Sequence, residues 1–156
     1  MVYLNRTFIK TVATFFYIGY FPYMPGTFAS LVGMVLYYFI KDEPFIYGLV
    51  TLFLIALGFL AIGKAEELFK DKDPACIVID EVSSLLLVFL FIPYSVKWAI
   101  LGFLLFRLFD ALKPYPIYRF QYLKGSLGVM CDDIVAAIYA NITLQFIFRL
   151  ASFITS

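Results

Sequence analysis

Histidine is absent from all 156 residues of this chain. With no imidazole to act as general base, metal ligand or phosphoryl carrier, histidine-dependent phosphatase chemistry is excluded. Cysteine is almost absent: Cys76 and Cys131 are too few for a disulfide framework, and each reads as a small apolar residue. Neither opens a Cys-x5-Arg phosphatase loop, because Glu81 and Val82 stand five and six residues after Cys76, and Ala136 and Ala137 after Cys131. Charge is scarce as well. Asp, Glu, Lys and Arg make up 15% of the chain, against roughly 25% in soluble domains. A net charge of only +1 lacks the basic footprint of a nucleic-acid partner.

What fills the chain instead is apolar. Hydrophobic residues reach 63% and the mean hydropathy is +0.93, so the solvent is a bilayer. Nineteen Phe and twelve Tyr suit a small protein with much of its surface in or near lipid. By length, residues 1–156 form one membrane-embedded domain.

Residues 1–24 place Arg6 and Lys10 before Phe15, Phe16 and Tyr17, as a signal peptide would. There is no convincing cleavage site, and Gly19, Pro22 and Pro25 interrupt the run. The segment is expected to be retained as an amphipathic or re-entrant interfacial helix. Residues 25–150 then divide into about five short transmembrane helices. The first follows Pro25 and Gly26, with Thr27 as its expected N-cap and Ser30 three residues on. The second contains the 19 uncharged residues Phe45–Gly63, enough to cross a hydrocarbon core of about 30 Å. The hydrophilic stretch 64–74 reads as a solvated helical extension plus loop. The third span is headed by Asp80 and Glu81 and has 15 uncharged residues from Val82 to Val96, short for a crossing. The fourth runs from about Ser95 to Leu112. The fifth starts near Leu127, with Asp132 and Asp133 in its first turns. The expected fold class is an all-α integral membrane protein, a compact bundle of these helices plus the N-terminal segment.

The fourth span ends in FRLFDALKPYPI. Arg107, Asp110 and Lys113 recur every three residues and so share one helix face, and Pro114 stops the helix at or before Lys113. Counting crossings puts all five acids of these helix ends, Asp80, Glu81, Asp110, Asp132 and Asp133, at one membrane face. The same side carries nine of the twelve Lys and Arg, leaving Lys41, Lys97 and Arg149 opposite. By the positive-inside rule that side is cytoplasmic.

These five acids offer only hard oxygen ligands, which suit magnesium or manganese. Arg107 and Lys113 are placed to hold a phosphate, and Thr27 with the opening amides of the first span offers a second anion-binding element. The competing reading is charge pairing within a helix bundle, for example of Asp110 with Arg107 or Lys113. A different class of function, a cation-binding transporter or assembly subunit, would favour ionisable groups at midplane depth rather than at one face.

In order and spacing, PYMPGTFASL, DPACIVIDEV, FRLFDALKPYPI and GSLGVMCDDIVA resemble the motifs of the phosphatidylglycerophosphatase A family, from about Gly19 to Ala140. The resemblance implies a small, magnesium-dependent, multi-pass enzyme of the bacterial cytoplasmic membrane. Such an enzyme removes the phosphate monoester of phosphatidylglycerophosphate to give phosphatidylglycerol. It marks Asp80, Glu81, Asp110, Lys113, Asp132 and Asp133 as the polar motif positions, with Arg107 and Thr27 beside them. Where the family pattern often has Gly, this chain has Ala29, Ser83 or Ser84, Ser126 and Ala137, small residues that keep helix contacts close.

Overall fold

The computed structural model describes residues 5–120 and 122–155, so the first four residues of the expected interfacial segment lie outside the described residues. Among the described residues there are seven α-helices and no strand: α1 Arg6–Ala13, α2 Pro25–Ile40, α3 Pro44–Phe69, α4 Ile79–Val88, α5 Val96–Leu112, α6 Ile117–Phe120 and α7 Ser126–Thr155, with a 3-10 turn at Ile18–Tyr20. Two of them, α3 and α7, are long and apolar enough to cross a membrane, yet only 33% and 22% of their most apolar windows are buried. Phe45, Leu52, Leu60, Phe146 and Phe153 on these helices are exposed. Core helices of a water-soluble bundle would hide such side chains; lipid makes their exposure favourable.

The bundle is arranged around α4. Ile79, Asp80, Val82, Ser83, Ser84, Leu85, Leu86 and Val88 are all buried, and α2, α3, α5 and α7 each pack on it. Close approach depends on small side chains. Ala29 of α2, Ser83 and Ser84 of α4, and Ala136, Ala137 and Ala140 of α7 have no exposed surface; of the expected positions where a small residue replaces Gly, Ala29, Ser83, Ser84 and Ala137 are thus sealed at helix contacts, while Ser126 is half-buried. Between α3 and α7, a Cβ on Gly58 would lie 2.4 Å from the Met130 sulfur.

At ten residues α4 is about 15 Å long, half a hydrocarbon core. The expected third span, headed by Asp80 and Glu81 and running apolar to Pro93, is therefore not one helix throughout. Helical structure stops at Val88, Phe91 turns to a φ of +62°, and Pro93, which restricts the residue before it, follows. Carbonyls freed inside an apolar bundle need donors. Asn141 of α7 supplies them, its Nδ2 donating to the Val88 and Leu90 carbonyls at 2.8 and 2.9 Å, while Gln145 Nε2 holds the Asn141 oxygen at 2.8 Å. The hydroxyl of Tyr47 donates to the Leu86 carbonyl.

The two ends of the bundle differ. At one end Lys41 lies over the rings of Tyr38 and Tyr94, at 5.3 and 4.8 Å, and Lys97 over Trp98 at 5.0 Å. At the other, Arg119 stacks on Tyr115 at 5.1 Å and Lys10 on Tyr20 at 5.0 Å. Rings paired with cations suit a membrane–water boundary. The short amphipathic α1 buries Ile9 and Ala13 and packs on α3. It is tied to the strand of chain entering α4, where the Val78 N–H donates to the Ala13 carbonyl at 2.9 Å.

Asn141→Leu removes both amide donors from the end of α4, which predicts a loss of about 1–3 kcal/mol in stability. A lowered Tm in detergent, with Ile142→Leu on the exposed face of α7 unchanged, is the expected result.

Candidate functional site

At the end of the bundle away from Asn141, the first turn of α4 presents Asp80 and Glu81. Acids are favoured there by the helix dipole. The second turn of α7 brings Asp133 to them, and one carboxylate oxygen from each of Asp80, Glu81 and Asp133 lies within 4.8 Å of the others. Asp80 and Asp133 are 5% and 4% exposed. Asp80 Oδ1, Glu81 Oε2 and Asp133 Oδ2 have no hydrogen-bond partner, nor has the nearby hydroxyl of Ser84. Buried polar atoms are ordinarily satisfied, and three carboxylates this close repel one another in a poorly screened setting. An all-oxygen donor set with unpartnered lone pairs fits a hard divalent cation.

The other two acids are already paired. Arg107 Nη1 donates to Asp110 Oδ2 at 2.7 Å, and Lys113 Nζ lies 3.8 Å from Asp110 Oδ1. Lys113 also bonds Asp132, whose other oxygen accepts the Asp133 N–H at 3.1 Å. Lys113 caps α5 in the left-handed region at φ +42°, a conformation costly for a side-chain-bearing residue and common where function demands a particular reach. The following loop is held down by the Tyr139 hydroxyl, which donates to the Tyr115 carbonyl at 3.1 Å. Of the five acids expected to bind metal, three thus form a close cluster in which each keeps one oxygen without a hydrogen-bond partner. Asp110 and Asp132 form an adjoining ion-paired layer with Arg107 and Lys113.

Thr27 sits differently from its expected place. Met24 is the N-cap of α2, with φ +49°, and Pro25 takes the first helical position. Proline is pre-organised for that position and has no N–H to lose, so the helix starts before Thr27. The residue of this turn that meets the site is Gly26: a Cβ there would lie 2.2 Å from Glu81 Oε1 and 3.6 Å from Arg107 Nη1. With glycine here, α2 passes this close to the acids without displacing the Glu81 carboxylate; a Cβ would push it aside.

Asp73 is a second residue that sequence reasoning left in a solvated loop. Its backbone takes φ +51°, its N–H donates to Glu66 Oε1 at 2.9 Å, and it lines a pocket of about 30 Å³ with Lys72, Gly128 and Asp132. Although the residue keeps contact with solvent, desolvation of its carboxyl raises its pKa. Glu66 and Asp110 add to that shift, while Lys113 and Lys72 oppose it. The available signal was its place at the head of the DPACIVIDEV motif.

The phosphatidylglycerophosphatase A family model matches residues 11–148. This chain belongs to that family. It is 32% identical over 132 residues to the phosphatidylglycerophosphatase A of Escherichia coli, covering 83% of this chain and 77% of that one. The Haemophilus influenzae phosphatidylglycerophosphatase A is 36% identical over 124 residues, covering 77% and 76%. A Bacteroides thetaiotaomicron protein, whose name assigns it provisionally as a phosphatidylinositol-3-phosphatase, is 33% identical over 143 residues, covering 85% and 89%. No solved structure matches the chain. All the motif acids of this family member fall within the matched region.

Gly26→Ala is expected to weaken divalent-cation binding by ~10-fold, as outer contacts of a metal site commonly do. Manganese titration followed by electron paramagnetic resonance checks this, with Gly48→Ala, where a Cβ meets nothing within 4 Å, as the unaffected comparison.

Proposed function

We propose that this protein is a magnesium-dependent lipid phosphatase that hydrolyses the phosphate monoester of phosphatidylglycerophosphate to phosphatidylglycerol. Manganese would be an alternative metal. The observation that carries the reading is the triad of buried Asp80 and Asp133 with half-buried Glu81, one unpartnered oxygen each, set beside two bases in a chain of the phosphatidylglycerophosphatase A family. The five acids exceed the two bases by three charges when all are ionised, which leaves room for one or two divalent cations.

In this reading Asp80, Glu81 and Asp133 hold the metal, with Asp110 available to complete its shell and Asp132 left to act as base. When bound, the ion would supply Lewis-acid stabilisation of the phosphoryl oxygens. Arg107 spends Nη1 on Asp110 and turns its remaining donors to the phosphate, beside Gly26 and the opening of α2, where Thr27 lies. Lys113 balances charge as the phosphorus–oxygen bond to glycerol breaks. Asp132 borders a pocket of about 30 Å³, room enough for a water, and accepts the proton of the attacking water. The water oxygen bonds to phosphorus as the bond from phosphorus to the glycerol oxygen breaks; that oxygen takes a proton from solvent, and Asp132 returns its proton to solvent.

The proposal includes a single domain that crosses the bacterial cytoplasmic membrane about five times. Helices α2, α3, α5 and α7 and the unit of α4 with its loop make the crossings, and the site lies near the cytoplasmic face. The name of the Bacteroides thetaiotaomicron relative favours a second substrate, phosphatidylinositol 3-phosphate, with the same chemistry.

Purified protein offered a panel of lipid phosphates should release phosphate fastest from phosphatidylglycerophosphate, and only with magnesium or manganese. Turnover in chelator would overturn the reading. Asp80→Asn and Asp133→Asn, still folded by Tm, should lose activity by on the order of 100-fold or more. Oxygen isotope passing from water directly into phosphate in one turnover identifies water, rather than a carboxylate, as the nucleophile. Arg107→Lys should raise KM more than it lowers kcat, since one ammonium cannot serve Asp110 and a phosphate with the geometry of a guanidinium.

A further inference from the structure

Below the site, α2 and α5 part to leave an apolar groove of about 410 Å³, lined by Leu31, Met34, Val35 and Tyr38 of α2, by Tyr94 and by Ala99 of α5. Its position along the two helices is informative. On α2, Thr27, Leu31, Met34, Val35 and Tyr38 follow the three- and four-residue spacing that places side chains on one face, and on α5 Ala99, Phe103 and Arg107 do the same. Thr27, Phe103 and Arg107 are half-buried rather than sealed in the core. Gly26 and Arg107 close the upper end of this seam, 3.6 Å apart when a Cβ is built on the glycine, and Tyr38 and Tyr94, with rings 5.7 Å apart, close the lower. The groove and the phosphate end of the site therefore lie on one continuous seam.

Resting on the phosphatase reading, we propose that this groove is the binding site for one acyl chain of the lipid substrate. From Thr27 to Tyr38 the seam descends about 16 Å at 1.5 Å per residue, from the phosphate end of the site to the rings of Tyr38 and Tyr94 under Lys41. A lipid whose phosphate is held by Arg107 beside the opening of α2 has its chains alongside this seam. Leu31 and Val35 are 44% and 56% exposed, so the groove opens sideways to the bilayer and a chain enters without leaving lipid. Because bilayer tails are as apolar as the groove wall, the contact adds little net affinity. Its effect is alignment, holding the phosphate against the acids in the orientation that reacts.

Val35→Trp and Leu31→Trp fill the groove from its exposed side, where the fold tolerates bulk. With dipalmitoyl phosphatidylglycerophosphate, kcat/KM should fall by ~5-fold, a modest change in keeping with an aligning contact. With the dihexanoyl lipid, whose chains are too short to occupy the groove, it should stay within about twofold of wild type. Leu52→Trp, on the lipid-exposed face of α3, should change neither. Equal losses on both substrates, or no loss on either, would overturn the acyl-chain assignment. A second readout is independent of turnover: a palmitoyl lipid phosphate with a photoreactive chain terminus should label residues 31–39 or Tyr94, and Val35→Trp should suppress that labelling. Labelling spread evenly over α3 and α7 would also overturn the assignment. Wild-type protein inactive on every lipid phosphate yet labelled in the groove would sink the phosphatase reading while keeping the groove as a lipid site.

Discussion

Three carboxylates repel one another when brought within 4.8 Å in a place largely closed to water, and much of the fold can be understood as what holds them there. Asp80 and Glu81 share the first turn of α4, a helix too short to cross a membrane and buried on nearly every side. Its lower end would leave bare carbonyls in an apolar interior. Asn141 and Tyr47 meet them from neighbouring helices, so a half-length helix can persist at that depth. Small residues on α2, α4 and α7 then let these helices draw close enough for Asp133 to join the pair.

The bases form the next layer. Arg107 and Lys113 are shared between Asp110 and Asp132 rather than pointing freely at the triad. Charge pairing and function are thus compatible here: ion pairs hold the layer in register, and guanidinium donors remain beyond the one spent on Asp110. Lys113 accepts a left-handed backbone at the end of α5 to reach Asp132. Such strain persists only where surrounding contacts enforce it, and the hydroxyl of Tyr139 on the following loop is one of them.

Much of this was legible in the residues. The apolar runs located the helices, Pro114 located the end of α5, and counting crossings brought five acids to one end of the bundle, where all five are found. Other features were hidden for physical reasons. Thr27 looked like a cap because Ser, Thr, Asp and Asn usually cap helices, but the helix began at Pro25 with no side-chain cap. The apolar run up to Pro93 reads as continuous because apolarity does not reveal where a chain turns. The roles of Gly26 and Asp73 are not legible along the chain, because they depend on what stands opposite them.

The sequence by itself determined the apolar character of the chain, the helical class, and the side-chain chemistry open to the site. These follow from composition, from periodicity and from the absence of histidine, which are properties of residues taken along the chain. The tertiary structure decided how the five acids divide, with three clustered, each keeping one unpartnered oxygen, and two paired to bases. It also decided that α4 stops halfway and that α2 passes within reach of Glu81. Each of these depends on distances between residues far apart in the chain, such as Gly26 and Glu81 or Val88 and Asn141. Those distances are set by how side-chain volumes and hydrogen bonds are satisfied together once the helices pack.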